Sequence, residues 1–522
     1  MTLMLTLGTA AFGAQKTLPS GKDTGSINVT NLKPGDTVTA YQFVKADYNE
    51  YGFTGYSAIN NYVKDPVAPT AQEVIDMASN AATMTVAAEK KVATGDTEVT
   101  LNGLPVGYYL VMVTSGSETV YSPMIAGIYY SKSATDNTLT NGAISADSDF
   151  EIKAQKCWAK SSTPKLEKTI VTPSSKNSKG DDIAIGDKIT FNLSATVPSY
   201  SKEYKKVTYK IYDIRSEGLD YVDGSMKCFI EKYENNRENI KVTPKVNGGI
   251  IEITFDSKFI LEHPGQKIQV EYQAKLNEKA GVNFDANINK AYLEYSNNPA
   301  SGSTAKTGED KVYVYTFGID SNLFGKSTEK WNEKTKELIK VEEGEYQWGE
   351  TEKESGIFTT TTALEGATFT LTNNKTKKSY TATSDKYGYL KFTGLDAGEY
   401  TLQETDAPDG FTLNDAKHTV VITAEYNQDG TLKSYTIKID DKATSTYTAT
   451  YDKGVIKTIT STKDSQGNIS ESAILKNSKM SFLPSTGGVG TTIFAIVGVV
   501  FVVVALGLHM ILRGKSKLEQ DR

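Results

Sequence analysis

Cysteine and histidine are scarce in this 522-residue chain, which has two of the first and three of the second. Two cysteines, Cys157 and Cys228, are too few to staple a chain of this length with disulfides, and sequence leaves open whether they pair. The histidines are His263, His418 and His509. With no HExxH, no GxSxG and no paired-Cys spacing, the chain carries no metal-site or nucleophile motif, so neither a metal nor a cofactor is expected. A two-carboxylate glycosidase is the enzyme class that sequence leaves open, because its acids have no local signature; the expectation is that the chain is not an enzyme. Net charge is only −6, which argues against a nucleic-acid partner. Nine Met and three Trp stand against thirty Tyr. With abundant Thr, Val and Gly, that balance favours strands over helices.

Alternating apolar and polar segments separated by Gly, Asn and Asp turns predict antiparallel sandwiches. Thr37 to Phe43, Lys188 to Ala195, Lys267 to Ala274 and Thr419 to Thr423 are examples. One segment, Ala71 to Ala88, carries apolar residues at Val74, Ile75, Met77 and Ala78 and reads as a helix. An internal echo relates Gly103-Leu104-Pro105-Val106-Gly107-Tyr108-Tyr109-Leu110-Val111 to Gly394-Leu395-Asp396-Ala397-Gly398-Glu399-Tyr400-Thr401-Leu402. Both are a turn feeding a strand, which predicts the same place in two related modules. Boundaries are expected near Cys157 to Pro164, where Ser161-Ser162-Thr163-Pro164 reads as a linker, and near Lys311 to Tyr315.

The two ends carry export and anchoring patterns. Leu3 to Ala14 is short, apolar and finishes in small residues, as the core and cleavage site of a signal peptide do. No Lys or Arg precedes it, so where that leader starts is open. At the other end Leu483-Pro484-Ser485-Thr486-Gly487 is followed by Gly488 to Leu512, free of Asp, Glu, Lys and Arg, and then by Arg513, Lys515, Lys517 and Arg522. Such a run can cross a hydrocarbon core of about 30 Å as a helix, with the basic cluster held on the cytoplasmic side. Pro484 fixes its own φ and biases Leu483 toward an extended backbone. The pentapeptide resembles the sortase sorting signal LPxTG. That resemblance implies attack on the Thr486 carbonyl, release of Gly487 onward, and a final location on the cell wall, joined to peptidoglycan.

A second resemblance lies upstream. Tyr400-Thr401-Leu402-Gln403-Glu404-Thr405-Asp406-Ala407-Pro408-Asp409-Gly410-Phe411 is similar to the E-box, YxLxETxAPxGY, of the CnaB-type domains of Gram-positive pilins and adhesins, with Phe411 where Tyr is usual. Leu364-Glu365-Gly366-Ala367-Thr368-Phe369-Thr370-Leu371 fits the LxGAxFxL strand of the same family. By strand alternation Tyr400, Leu402 and Glu404 share one face, and a carboxyl group in a core has its charged form disfavoured. The resemblance implies a spontaneous amide between a Lys on the first strand and an Asn on the last. The buried amine loses its charge and becomes nucleophilic, while the protonated acid polarises the Asn carbonyl and shuttles protons. Carried onto this sequence, the acid is Glu404 and the Asn is Asn477. The Lys is Lys340, with Lys326 as the alternative because an inserted segment from Glu342 to Thr362 follows Lys340.

The middle of the chain resembles the second domain of backbone pilins. Thr163-Pro164-Lys165-Leu166-Glu167-Lys168-Thr169-Ile170 is similar to its opening strand. Tyr212-Asp213-Ile214-Arg215-Ser216-Glu217-Gly218-Leu219 is similar to the segment bearing the acid, and Asn287-Ile288-Asn289-Lys290-Ala291-Tyr292-Leu293-Glu294-Tyr295-Ser296-Asn297-Asn298-Pro299 to its closing strand. This implies Lys168, Asp213 and Asn289 as the bond-forming set, with Asn287 as the alternative on the same face. In the first module the echo puts Val113 where Glu404 stands, so no such bond is expected through that strand. Cys157-Trp158-Ala159-Lys160 occupies the place of the V-Y-P-K that ends the pilin motif, departing from it at Cys157 and Ala159. Lys160, or else Lys156, is then the exposed amine that a pilin-class sortase joins to Thr486 of another copy.

The expected architecture is therefore all-β, with three tandem immunoglobulin-like (CnaB-type) β-sandwich domains and a C-terminal transmembrane helix. The signal peptide covers residues 1–14. The domains run 15–158, 159–312 and 313–480, and the sorting signal, helix and basic tail cover 481–522. The function implied is that of a shaft subunit in a covalently polymerised surface pilus supporting adhesion, with a basal pilin or a monomeric wall-anchored adhesin as the alternative. Its partners would be other copies of itself, pilin-class and housekeeping sortases, peptidoglycan, and tip and basal pilins.

Overall fold

The alternating segments form strands, and the strands build three β-sandwiches in succession. The computed structural model describes residues 18–115, 118–131, 143–144, 150–171, 173, 177–233, 236–319, 325–327, 337–342, 345–349, 361–362, 364–385, 390–440, 443–462 and 474–476. The leader at 1–14, Asn477, the pentapeptide Leu483–Gly487 and the apolar run 488–512 lie outside them. Among the described residues no helix is long and apolar enough to cross a membrane.

In the first sandwich, strands Cys157–Trp158, Thr24–Thr30 and Glu98–Pro105 form one sheet. It faces a larger sheet ordered Gly52–Ala58, Thr37–Asn49, Gly107–Thr114, Met124–Ser131 and Glu151–Ala154. Ile27, Val29, Val38, Tyr109, Val111, Ile128 and Tyr130 close the core between them. The helix expected through Ala88 ends at Ser79, and Val86–Lys91 is a strand paired with Thr37–Tyr41. Thr70 and Glu73 form a capping box that starts the helix. Asn80 ends it, and the β-branched Thr83, Thr85 and Val86 beyond favour extended backbone.

The middle sandwich has Leu166–Ile170, Lys188–Thr196, Lys267–Leu276, Lys227–Tyr233 and Asn236–Ile240 in one sheet. The other runs Gly180–Asp182, Asp310–Tyr315, Asn287–Asn298, Tyr209–Arg215, Ile250–Thr254 and Lys245–Asn247. Phe191, Leu193, Val270, Ile211, Ile253, Leu293 and Val312 fill the space between. The third sandwich is a seven-stranded sheet from Ser379–Thr383 through Gly398–Asp406 to Val455–Thr462, backed by Phe317–Ile319 paired with Phe392–Leu395. Strand Asp310–Tyr315, where a boundary is expected, pairs by its backbone with strands of the middle sandwich, while Tyr315 Oη accepts the Leu432 N–H of the third at 2.9 Å. The chain passes to the third at Thr316, whose hydroxyl donates to Leu395 O at 3.0 Å.

The echo is structural as well as textual. Tyr109 Oη donates to Pro105 O at 2.5 Å, and Tyr400 Oη donates to Asp396 O at 2.8 Å, each tyrosine closing back on the turn that precedes its strand. Gly103 and Gly394 hold the same left-handed turn position, with φ of 70° and 77°. Cys157 and Cys228 are separate buried thiols in the first and middle sandwiches and form no disulfide.

The middle and third sandwiches meet along residues 177–187. Buried Asp182 accepts from Tyr426 Oη at 2.6 Å and from the Ala397 N–H, and Lys378 Nζ donates to Ile185 O at 2.6 Å and pairs with Asp187 at 3.0 Å. The two backbones touch at Gly180 and Gly430, where a Cβ on Gly180 would lie 2.2 Å from Gly430 O. Any side chain at Gly180 would force this interface apart.

Candidate functional site

Lys168, Asp213 and Asn289 lie in the apolar interior of the middle sandwich with no solvent-exposed surface. Each is on the inner face of its strand because it shares parity with apolar neighbours. Lys168 alternates with Leu166 and Ile170, Asp213 with Tyr209 and Ile211, and Asn289 with Ala291 and Leu293. Lys168 belongs to the first strand of its sandwich and reaches across to Asp213 in the facing sheet, where the strands of Asp213 and Asn289 are adjacent. Its backbone is pinned on both sides. The Lys168 N–H donates to Asp310 Oδ2 at 2.6 Å, and Lys179 Nζ donates to Lys168 O at 2.6 Å.

Lys168 Nζ makes a very short contact with Asp213 Oδ2 and lies 3.4 Å from Tyr272 Oη. Tyr272 Oη donates to Asp213 Oδ1 at 2.6 Å and accepts from Asn289 Nδ2 at 2.6 Å. The amine also sits against the rings of Phe191 and Tyr272, 5.0 and 5.3 Å from their centroids. Burial pushes the Lys168 ammonium well toward the neutral amine, and the carboxylate of Asp213 opposes that shift without cancelling it. An amine pushed toward neutrality with an acid against it, and a carboxamide joined to both through one tyrosine hydroxyl, brings together the three groups that amide exchange requires.

The contacts differ from the simple picture in one respect. Asp213 does not touch Asn289; Tyr272 lies between them and bonds to both. Asn289 Oδ1 is buried without a hydrogen-bond partner, and so is Nε of Arg215, the residue directly opposite Asn289 across the strands. The remaining guanidinium nitrogens of Arg215 donate to Leu219 O at 2.7 Å and Gly248 O at 3.0 Å. Asn287, the alternative amide, is fully engaged elsewhere, bridging the Gly281 N–H, Gly281 O and Val314 O. Sequence reasoning missed Tyr272 and Arg215. The available signal was parity: Tyr272 alternates with Val270 and Ala274 on an inner face, where a hydroxyl needs a partner.

In the third sandwich Glu404 is buried beside the fully buried Tyr400 and Leu402, and its Oε2 accepts the Asn414 N–H at 2.7 Å. Strand Gly325–Ser327 runs parallel to Ile474–Lys476, with Lys326 opposite Leu475. Strand Glu337–Glu342, which carries Lys340, pairs instead with Glu345–Gly349 in a separate small sheet. In the first sandwich Val113 occupies the position of Glu404 and is buried as an apolar residue. Its buried acid is Asp36, which accepts from Tyr121 Oη at 2.6 Å and from the Lys33 N–H at 2.8 Å.

Cys157-Trp158-Ala159-Lys160 crosses from the first sandwich to the second. Cys157 and Ala159 point into the core, while Trp158, 71% exposed, and Lys160 point out. The backbone here is fixed: Ala159 N–H donates to Thr30 O at 3.0 Å, Asn31 Nδ2 to Ala159 O at 2.7 Å, and Ser122 N–H to Lys160 O at 3.0 Å. Lys156 is exposed as well, ahead of the strand.

Family models match three parts of the chain: the T6 antigen Ig-like domain over residues 22–161, the SpaA prealbumin-like fold domain over 357–438, and the LPXTG cell wall anchor motif over 476–517. Along almost the whole length, the chain is 26% identical to the trypsin-resistant surface T6 protein of Streptococcus pyogenes serotype M6, covering 95% of this chain and 96% of that one. The chain is a homologue of Gram-positive backbone pilins. The solved T6 backbone pilin of serotype M6 Streptococcus pyogenes shares the fold of this pilin homologue, with a TM-score of 0.59 at 21% identity over 89% of this chain and 100% of that one. A more partial match, 26% identical over 46% of this chain and 17% of the other, is to the serine-aspartate repeat-containing protein D of Staphylococcus aureus. With its anchor motif, the pilin homologue is a cell-wall surface protein.

Proposed function

We propose that this chain is the shaft subunit of a covalently polymerised pilus, tied internally by Lys–Asn isopeptide bonds and joined head to tail through Lys160 and Thr486. The observation that carries the reading is the enclosure of Lys168, Asp213 and Asn289 together, each with no solvent-exposed surface, in the middle sandwich. A Lys and an Asp buried at such expense without reacting would be weak stabilisers. As precursors of an amide, their burial has a chemical purpose. The bond forms once per chain and within it, so the protein is a structural subunit and not an enzyme.

For the third sandwich the proposed set is Glu404, Asn477 and Lys326. Lys326 replaces Lys340 because its strand is the one hydrogen-bonded beside the strand leading into Asn477. In the parallel register Lys326 lies opposite Leu475, and Asn477 follows Leu475 by two residues in sequence. Between copies, the proposed nucleophile is the exposed Lys160, whose backbone is anchored while its side chain is free to enter a sortase. A pilin-class sortase would polymerise the chain, with tip and basal pilins at its ends, and a housekeeping sortase would pass the polymer to peptidoglycan.

Lys160→Ala in the native strain tests the polymer. The high-mass ladder should disappear from wall extracts while wall-attached monomer stays. A ladder of unchanged length would move the nucleophile to Lys156 or another lysine. A native strain with no ladder at all would favour a singly anchored adhesin.

A further inference from the structure

Tyr272 occupies a place that packing alone does not explain. Its ring is held from two sides, by Phe191 with centroids 5.5 Å apart and by Tyr221 at 5.8 Å. That clamp aims the hydroxyl at the point where Lys168, Asp213 and Asn289 converge, and the hydroxyl touches all three. Asp213, the acid of the site, has no contact of its own with the amide nitrogen that must leave. We propose that Tyr272 is a further catalytic residue of isopeptide formation, relaying a proton from Asp213 to the departing amide nitrogen of Asn289. This rests on the isopeptide reading above and adds to it the route by which ammonia is expelled.

The step balances as follows. The neutral Lys168 amine attacks Asn289 Cγ, the new C–N bond forms, and the carbonyl π pair moves to Oδ1 opposite the buried charge of Arg215. Asp213, holding the proton that the Lys168 ammonium gave up before attack, passes it to Tyr272 Oη as Tyr272 passes its own to Asn289 Nδ2. The carboxylate thus formed takes a proton from the now cationic Lys168 Nζ. The C–Nδ2 bond breaks, the Oδ1 pair re-forms the carbonyl, and ammonia leaves. Tyr272 ends as it began, and Asp213 keeps the proton that the Lys168 ammonium gave up. Burial, reinforced by the neighbouring Asp213 charge, raises the Tyr272 hydroxyl far above the ordinary tyrosine value, so it carries its proton throughout the physiological range.

The test follows the Lys168–Asn289 cross-linked peptide by mass spectrometry after a pulse of isotope-labelled synthesis of the full chain. In wild type the cross-link should appear as the chain folds. Tyr272→Phe keeps both ring contacts and removes the relay, and should slow the cross-link by roughly 10²- to 10⁴-fold, the usual worth of a positioned acid–base group. Circular dichroism establishes that the variant is folded. Should it not fold, trifluorotyrosine placed at position 272 keeps shape and hydrogen bonds while acidifying the phenol, and should change the rate of bond formation. Wild-type rates in the folded Phe variant, or in the fluorinated chain, would overturn the relay and leave the isopeptide reading standing. Absence of the cross-link from wild type would overturn both.

Discussion

Replacing Lys168 with Met isolates what the covalent bond contributes. Met is unbranched and close to Lys in volume, and it can keep the contacts with Phe191 and Tyr272. Asp213 retains its hydrogen bond from Tyr272 and no longer faces a buried amine. A volume-conserving exchange of this kind costs less than about 1.5 kcal/mol in packing. The bond itself closes a loop on the order of 120 residues, from Lys168 to Asn289, and the chain-entropy model assigns such a closure about 5 kcal/mol. At about 2–4 °C per kcal/mol for a module of this size, the middle transition should fall by roughly 10–20 °C. Intact mass should show one ammonia more in the variant than in wild type once the side-chain change is allowed for, and calorimetry should show the fall. If both chains have lost the same number of ammonia molecules, or the transition moves by less than about 3 °C, the cross-link assignment is refuted.

Asp213→Ala should also retain one ammonia but be the less stable variant, by a further 3–5 kcal/mol or so, because it leaves the Lys168 amine buried without its acid; equal melting of the two variants would contradict this. Glu404→Ala and Lys326→Ala should each add one ammonia back to the intact mass while Lys340→Ala leaves it unchanged, and the reverse result for the two lysines would return the bond to Lys340. At the interface of the middle and third sandwiches, burial raises the Asp182 carboxyl to about 6. The unfolded value is about 3.9, so its stabilising contribution is complete below that pH and is lost as pH rises toward and through 6. Asp182→Asn should flatten the fall in melting temperature between about pH 4 and pH 6, and a variant with the wild-type slope would show that another group titrates there.

Parity carried most of the fold into the sequence. Lys188–Thr196, Lys267–Leu276 and Lys417–Tyr426 are strands where alternation places them. The helix begins at its Thr70–Glu73 box but stops short of the expected end, since β-branched residues beyond Asn80 pair better than they coil. The same period-two rule turns Lys168, Asp213, Asn289 and Glu404 inward, for each lies two residues from an apolar neighbour. Alternation cannot say which inward residue of one sheet meets which of the other. Tyr272 reaches the acid and the amide from a strand some sixty residues beyond Asp213, and Arg215 and Asn289 oppose each other through a register that hydrogen bonding sets.

Local chemistry in the chain was enough to determine strand content, inward-facing polar residues and wall anchoring, because each depends on residues only a few positions apart. Facing across the sandwich, the insertion of Tyr272 between acid and amide, the pairing of Lys326's strand with the last one, and the docking of Asp182 were decided only by tertiary structure. Those depend on how two sheets pack and slide in register, a collective property of many contacts that no short segment encodes.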